Sequence, residues 1–99
     1  MNQRVITVKK AAIQKILRTI EDLQEGMDVL SEESTDLELK TAYHNHGIAH
    51  GYIRCLKDLE LISGPDYTRL FTRQIKLSSK IGYLQEKRTH GTANTGESR

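Results

Sequence analysis

The sequence predicts a small all-α protein, an antiparallel helical hairpin with a third helix that closes a three-helix bundle, followed by a disordered C-terminal tail. Two observations predict this fold class. Apolar residues recur every three or four positions in three long stretches, as they do along the buried face of a helix. The 99 residues include one proline, and few turn signals interrupt these stretches. We therefore expect one helical domain over residues 1–87 and a tail over residues 88–99.

The first helix is predicted over about residues 7–30, with the hydroxyl of Thr7 as its N-cap. Its apolar residues step by 3, 4, 3, 4 and 3 positions, the spacing that keeps one seam of a helix against a partner helix. The residues of this seam are Ile13, Ile16, Ile20, Leu23, Met27 and Leu30. We expect the seam to be the interface of this helix with its neighbours.

Charges are sorted by sign along the same helix. Residues 1–20 contain five bases and no acid, whereas residues 21–38 contain eight acids and no base. Bases near the N-terminus and acids near the C-terminus both oppose the helix macrodipole, each by about 0.3–1 kcal/mol. Something outside the helix is expected to compensate this order, either a neighbouring helix with the reverse order or an antiparallel copy of the helix itself.

The second helix is predicted over about residues 35–62, after a polar connection, and Thr35 with Glu38 matches a capping box at its start. Its inner face is predicted as a stripe within an arc of about 80°, at 100° per residue. The stripe consists of Leu37, Thr41, His44, Ile48, Tyr52, Cys55, Leu59 and Ile62. On one side it is widened by Ala42, Ala49, Ile53 and Leu56. Gly64 and Pro65 are predicted to end the helix.

The third helix is predicted over about residues 66–85, again with apolar steps of 3, 4, 3, 4 and 3. Its seam consists of Tyr67, Leu70, Gln74, Leu77, Ile81 and Leu84. From Arg88 onward the chain has no apolar residue larger than alanine, which predicts the disordered tail.

A ridge of basic residues follows the other side of the third helix. We call this set the basic ridge; it consists of Arg69, Arg73, Lys76, Lys80 and Lys87. Such a ridge could neutralise nucleic-acid phosphates, with Tyr67 and Tyr83 stacking on bases. It could equally be solvated, or pair with the acidic stretch Glu21–Glu38 of the same chain or of a second copy.

Three of the four histidines lie within residues 43–50 of the second helix. His46 and His50 are four positions apart and share a face, as two zinc ligands would, but the sequence supplies too few further ligands nearby. We therefore expect no metal site and place both on a solvated face. His44 lies on the predicted apolar stripe and is expected to be buried and neutral. Cys55, on the same stripe, is expected to be a small buried filler.

Composition excludes several classes of function. No apolar run is long enough to span a bilayer, and no secretion signal is recognisable. A single cysteine cannot form an internal disulfide, which is typical of a cytoplasmic protein. No glycine-rich phosphate loop, paired carboxylates or nucleophile–base arrangement is present, so we expect no enzymatic activity, no cofactor and no small-molecule substrate.

These features together predict a non-enzymatic interaction or regulatory protein that forms a homodimer and acts by binding a larger protein partner. A short helical chain with a polar tail and no catalytic motif is typical of accessory proteins of phages and other mobile elements. The alternative is a small nucleic-acid-binding regulator that uses the basic ridge on the third helix.

Overall fold

The computed structural model describes the backbone of residues 3–97 and the side chains of residues 9–88. This part of the chain forms three packed helices, α1 (Gln3–Asp28), α2 (Asp36–Asp58) and α3 (Gly64–Glu97), and no strand. The predicted all-α fold is confirmed. Gln24 of α1 contacts Gln74 of α3, and farther along α1 the carbonyl of Asp28 contacts Lys80, so α1 and α3 run parallel and α2 runs antiparallel to both.

The start of α2 matches its predicted capping box. Thr35 is the N-cap, and its hydroxyl accepts a hydrogen bond of 3.0 Å from the Glu38 amide. In return, the Glu38 carboxylate accepts a hydrogen bond of 3.0 Å from the Thr35 amide. Two amides that the first turn of the helix leaves unpaired are satisfied in this way.

The end of α2 differs from the prediction. The helix ends at Asp58 rather than near residue 62, and Glu60 adopts a left-handed backbone conformation with φ 56°. The amide of Glu60 donates to the carbonyl of Lys57, and that of Leu61 to the carbonyl of Leu56. This hydrogen-bonding pattern usually ends a helix at glycine, but here a glutamate closes it before Gly64 is reached.

The ends of α1 and α3 also differ from the prediction. Helix α1 begins at Gln3, so Thr7 lies inside the helix rather than at its cap. Helix α3 begins at Gly64, where the Ser63 hydroxyl accepts a hydrogen bond of 3.2 Å from the Asp66 amide. It continues to Glu97, beyond the predicted end near residue 85 and into the segment predicted as a tail. Residues 98–99 lie outside the described part of the chain.

The interior consists of two apolar clusters at different heights along the bundle. The cluster nearer the α1–α2 connection contains Met27, Leu30, Leu39, Ala42, Leu77, Ile81 and Leu84. The cluster nearer the α2–α3 connection contains Ile20, Ala49, Ile53, Leu56 and Leu70. Each helix contributes to both clusters, so the bundle is held together along its length by burial of apolar surface.

The inner face of α2 is not the face that the sequence analysis selected. The buried residues of the helix are Leu39, Ala42, Ala49, Ile53 and Leu56. The last four were predicted only to widen the stripe on one side, and Leu39 was not assigned to it. The centre of the predicted stripe, including Ile48 and Tyr52, is exposed. Two alanines on the buried face allow α2 to lie close to its neighbours, and bulkier residues remain on the outside.

Candidate interaction surfaces

The seam of α1 lies inside the bundle. Ile20 and Met27 are 0% and 1% exposed, and Leu30 is buried near the end of the seam. Ile16 and Leu23 pack against the edge of the second cluster, and Ile13 is half-buried. The structure therefore places the predicted interface residues against α2 and α3 of the same chain.

A layer of polar side chains separates the two apolar clusters. Gln24 and Gln74 are 0% and 1% exposed, and Gln24 Nε2 donates to Gln74 Oε1 at 3.1 Å and to the Leu70 carbonyl at 3.3 Å. Gln74 Nε2 in turn donates to the carbonyl of His46 at 3.1 Å. We call Gln24, His46 and Gln74 the polar layer. It joins all three helices through side-chain hydrogen bonds.

His46 completes the polar layer and has a defined donor nitrogen. Its Nε2 lies 2.9 Å from the carbonyl oxygen of Gln74, and a carbonyl accepts but never donates, so Nε2 carries a hydrogen. The polar layer also contains one buried atom without a hydrogen-bond partner, Gln24 Oε1. A buried, unpartnered amide oxygen costs about 1–3 kcal/mol of stability.

The other members of the histidine and cysteine set also differ from their predicted positions. His44 and Cys55, expected inside, are both exposed. His46 and His50, expected on a solvated face, are half-buried against α3, where the ring centre of His50 lies 6.3 Å from that of Phe71. Within residues 9–88, no group of three or more side chains is arranged to hold a metal ion.

The basic ridge of α3 pairs with the acidic stretch of the same chain. Arg69 lies 3.8 Å from Glu21, Arg73 pairs with Asp28, and Lys87 pairs with Glu32. Arg88, just past the ridge, pairs with Asp36. The sequence left open whether the ridge binds phosphates, is solvated, or pairs with the acidic stretch of the same chain or of a second copy. For these residues the structure shows pairing within the same chain. Lys76 is exposed.

Lys80 resolves part of the unfavourable charge order of α1. Its ammonium group donates to the carbonyls of Met27, at 3.4 Å, and of Asp28, the last residues of the helix. A cation at a helix C-terminus satisfies free carbonyls and interacts favourably with the negative end of the macrodipole. The neighbouring helix predicted to compensate the acidic end of α1 is therefore α3.

The aromatic residues considered for base stacking have contacts of their own within the chain. Tyr67 stacks on Phe71 at 5.5 Å, and the ammonium of Lys57 lies 4.4 Å from the centre of the Tyr67 ring. Tyr83 lies beside Lys87, whose ammonium is 5.9 Å from the ring centre. The candidate nucleic-acid surface thus has most of its charges and both of its tyrosines in contact with other residues of the same chain.

The ion pair between Lys87 and Glu32 shifts the titration of both groups. The hydrogen bond from Lys87, with its positive charge, lowers the pKa of the Glu32 carboxyl from its ordinary value. The same hydrogen bond raises the pKa of Lys87. The pair ties α3 to the α1–α2 connection, and both side chains remain largely in solvent.

These shifts predict how the pair responds to pH. Its contribution to stability is lost as the pH falls through the lowered pKa of Glu32, and again as it rises through the raised pKa of Lys87. Replacing Lys87 by glutamine should return the pKa of Glu32 towards its ordinary value, measured by NMR titration of the carboxyl carbon. The exposed Lys76→Gln variant is the control. An unchanged Glu32 titration in Lys87→Gln would show that the pair is not formed in solution.

The outer face of α2 carries several apolar side chains that the bundle leaves uncovered. Leu37 and Leu59 near its ends are 73% and 61% exposed, and Ile48, Tyr52 and Cys55 between them are exposed as well. We call these five residues the outer face of α2. They recur at helical spacing along about 33 Å of helix, at 1.5 Å per residue.

A groove continues the outer face of α2 towards α1. It has a volume of about 320 Å³ and lies between the end of α1 and the start of α2. Its lining includes Val29, which is 81% exposed, together with Leu37 and Thr41. The sequence analysis recognised the outer-face residues as an apolar stripe but assigned them to the core, so it missed this surface.

Two further findings bear on function. None of the helices in the described part of the chain is both long enough and apolar enough to cross a membrane. The chain matches no protein-family model, no curated protein and no solved structure.

Proposed function

We propose that this protein is a non-enzymatic interaction protein that binds a larger protein partner through the outer face of α2. The observation that carries the proposal is the exposure of Leu37, Ile48, Tyr52 and Leu59 on one side of a helix whose other side is packed in the core. Extended apolar surface rimmed by polar residues on a small protein is typical of binding sites.

The shape of the surface favours an amphipathic helix of the partner as the occupant. The outer face is long and about one helix wide, and the groove beside Val29 extends it. Gly47 and Gly51 are exposed beside it, and a Cβ added to either would meet no atom within 4 Å, so another backbone can approach closely there. An apolar helical stripe laid along such a groove is a recurring mode of peptide recognition.

The charges beside the outer face favour a protein over a nucleic acid. Asp36 and Lys40 flank one end of the helix, and Arg54 and Asp58 flank the other, so both signs are present at each end. A phosphate backbone is bound by a surface of one positive sign, whereas a polar rim of mixed charge around an apolar centre is typical of protein interfaces.

The test compares two matched double variants. Ile48→Glu/Tyr52→Glu places two charges on the outer face, and Thr72→Glu/Ser79→Glu places two charges on exposed positions of α3. Both should keep the helicity of the parent and a free energy of unfolding, measured by urea denaturation, within about 0.5 kcal/mol of it, because the altered side chains are exposed.

Partner binding is measured with a photo-crosslinking residue at position 55, in lysate of the native host, with and without nuclease. We expect one protein to be crosslinked in both arms, and purified partner to bind the α2 double variant at least tenfold more weakly than the control variant. Equal binding by the two variants, or crosslinking that disappears after nuclease treatment, would overturn the proposal.

A further inference from the structure

The outer side of α1, opposite its seam, presents a second ordered surface. Six exposed residues step by 4, 3, 4, 3 and 4 positions and fall within an arc of about 80°, centred about 180° from Ile20. We call this set the charged stripe; it consists of Ala11, Lys15, Arg18, Asp22, Glu25 and Val29.

The four charges of the stripe are not used within the described part of the chain. Glu21 and Asp28, on the side of α1 that faces α3, pair with Arg69 and Arg73, whereas Lys15, Arg18, Asp22 and Glu25 form no ion pair with any side chain of residues 9–88. Lys15 and Arg18 are three residues apart, as are Asp22 and Glu25, so each like-charged pair repels along the helix surface. Pairing with α3 therefore does not reach these four charges, and among them only Arg18 and Asp22, four residues apart on the helix, bring opposite signs together.

The charged stripe is complementary to the stripe of a second copy that runs in the opposite direction, with residue 20 of both helices at the same height. Lys15 then meets Glu25 of the second helix, and Arg18 meets Asp22, while Ala11 meets Val29 at each end. Residues 15, 22 and 29 occupy one position of a seven-residue repeat, and residues 11, 18 and 25 occupy the other. Each antiparallel pair joins a residue of the first position to a residue of the second, as in the layers of antiparallel coiled coils. A parallel pair would place Lys15 against Lys15 and Glu25 against Glu25.

We infer that the charged stripe is the contact by which two copies of this chain form an antiparallel homodimer, with the two-fold axis at the height of Ile20 but on the opposite side of the helix. Each dimer contains two pairs between Lys15 and Glu25 and two pairs between Arg18 and Asp22. The stripe contains none of the five residues of the outer face of α2 and shares only Val29 with the groove beside that face, so the inference does not rest on the proposed partner docking.

The ion pairs determine the antiparallel orientation of the dimer, and few other contacts add to its affinity. Exposed ion pairs are individually weak and are screened by salt, and the apolar contribution comes from Ala11 and Val29 at the two ends. We therefore expect a dimer whose dissociation constant rises at least tenfold between about 20 mM and about 500 mM salt, because the Debye length falls well below 10 Å over that range.

Two double variants with the same net charge as the parent test the register. In Lys15→Glu/Glu25→Lys the two pairs between positions 15 and 25 are exchanged in sign and remain attractive, and the pairs between Arg18 and Asp22 are unchanged. In Lys15→Glu/Asp22→Lys, position 15 faces Glu25 and position 22 faces Arg18, so every pair becomes repulsive. Sedimentation equilibrium at low salt should show a dimer for the parent and for the first variant. The dissociation constant of the second variant should be at least tenfold higher than that of the first, and the helicity of the two variants should be equal.

Three results would overturn the inference. The parent could be monomeric at low salt at a protein concentration of hundreds of micromolar. The two variants could dimerise equally, as a contact elsewhere or a parallel pairing would require. The dimer could be insensitive to salt, which would indicate an apolar interface. Partner binding through Ile48 and Tyr52 is measured separately, with the α2 double variant, so its failure is distinguishable from each of these results.

Discussion

Replacement of Ile20 by aspartate is expected to unfold the protein. Ile20 is 0% exposed and belongs to the cluster that contains Ala49, Ile53 and Leu70, so the change removes a buried aliphatic side chain and leaves a carboxylate without a partner. Together these effects should lower the free energy of unfolding by about 5 kcal/mol or more, comparable to the whole stability of a small domain. Circular dichroism at neutral pH should show loss of most helical signal.

The matched control is Gln14→Asp, one and a half turns away on the same helix. Gln14 is exposed, so this variant should keep its helicity and change the free energy of unfolding by less than about 0.5 kcal/mol. A folded Ile20→Asp variant with the urea midpoint of the parent would show that the seam of α1 is not inside the bundle in solution.

The polar layer is expected to show strong coupling between its two glutamines. Gln74→Leu removes the acceptor of Gln24 Nε2 and the donor to the His46 carbonyl, and it leaves the Gln24 amide buried with one remaining partner, the Leu70 carbonyl. This variant should be less stable than the parent by about 1–3 kcal/mol. Adding Gln24→Leu removes the buried amide and its unpartnered Oε1. The free energy of unfolding of the double variant should therefore exceed that of the parent by about 1 kcal/mol.

Urea denaturation of the parent, both single variants and the double variant gives the coupling energy directly. The hydrogen bond between His46 Nε2 and the backbone carbonyl of Gln74 is available in every variant, so it does not contribute to the difference. Additive effects of the two substitutions, or a double variant less stable than Gln74→Leu, would contradict the expected coupling.

The fold could be predicted from the sequence because the seams of α1 and α3 follow a simple spacing rule. The same rule identifies the inner face of α2 as well, since its inward positions 39, 42, 46, 49, 53 and 56 also step by 3, 4, 3, 4 and 3. The prediction instead followed the larger side chains Ile48, Tyr52 and Leu59, which lie outside. His46 occupies one of these inward positions and obscured the pattern. A histidine is expected at such a position only where a hydrogen-bond partner, here Gln74, can be identified.

The interaction surfaces depend on information that periodicity does not contain. The spacing of the basic ridge was visible in the sequence, but pairing of Arg73 with Asp28 depends on the relative height of α1 and α3. The same holds for the polar layer, since Gln24 lies outside the predicted seam of α1. The outer face of α2 could be recognised as exposed only after the inner face had been identified correctly.

The polar layer also determines how far each helix can slide along its neighbours. Contacts among leucine, isoleucine and alanine are non-directional. Two clusters built from these residues alone would therefore tolerate a shift of α3 along its axis by one turn, about 5.4 Å. Such a shift would carry Gln74 away from Gln24 and into contact with aliphatic side chains, where each stranded amide costs about 1–3 kcal/mol. Misaligned packings of this bundle are thereby disfavoured, although their apolar contacts would be nearly as good as those of the native arrangement.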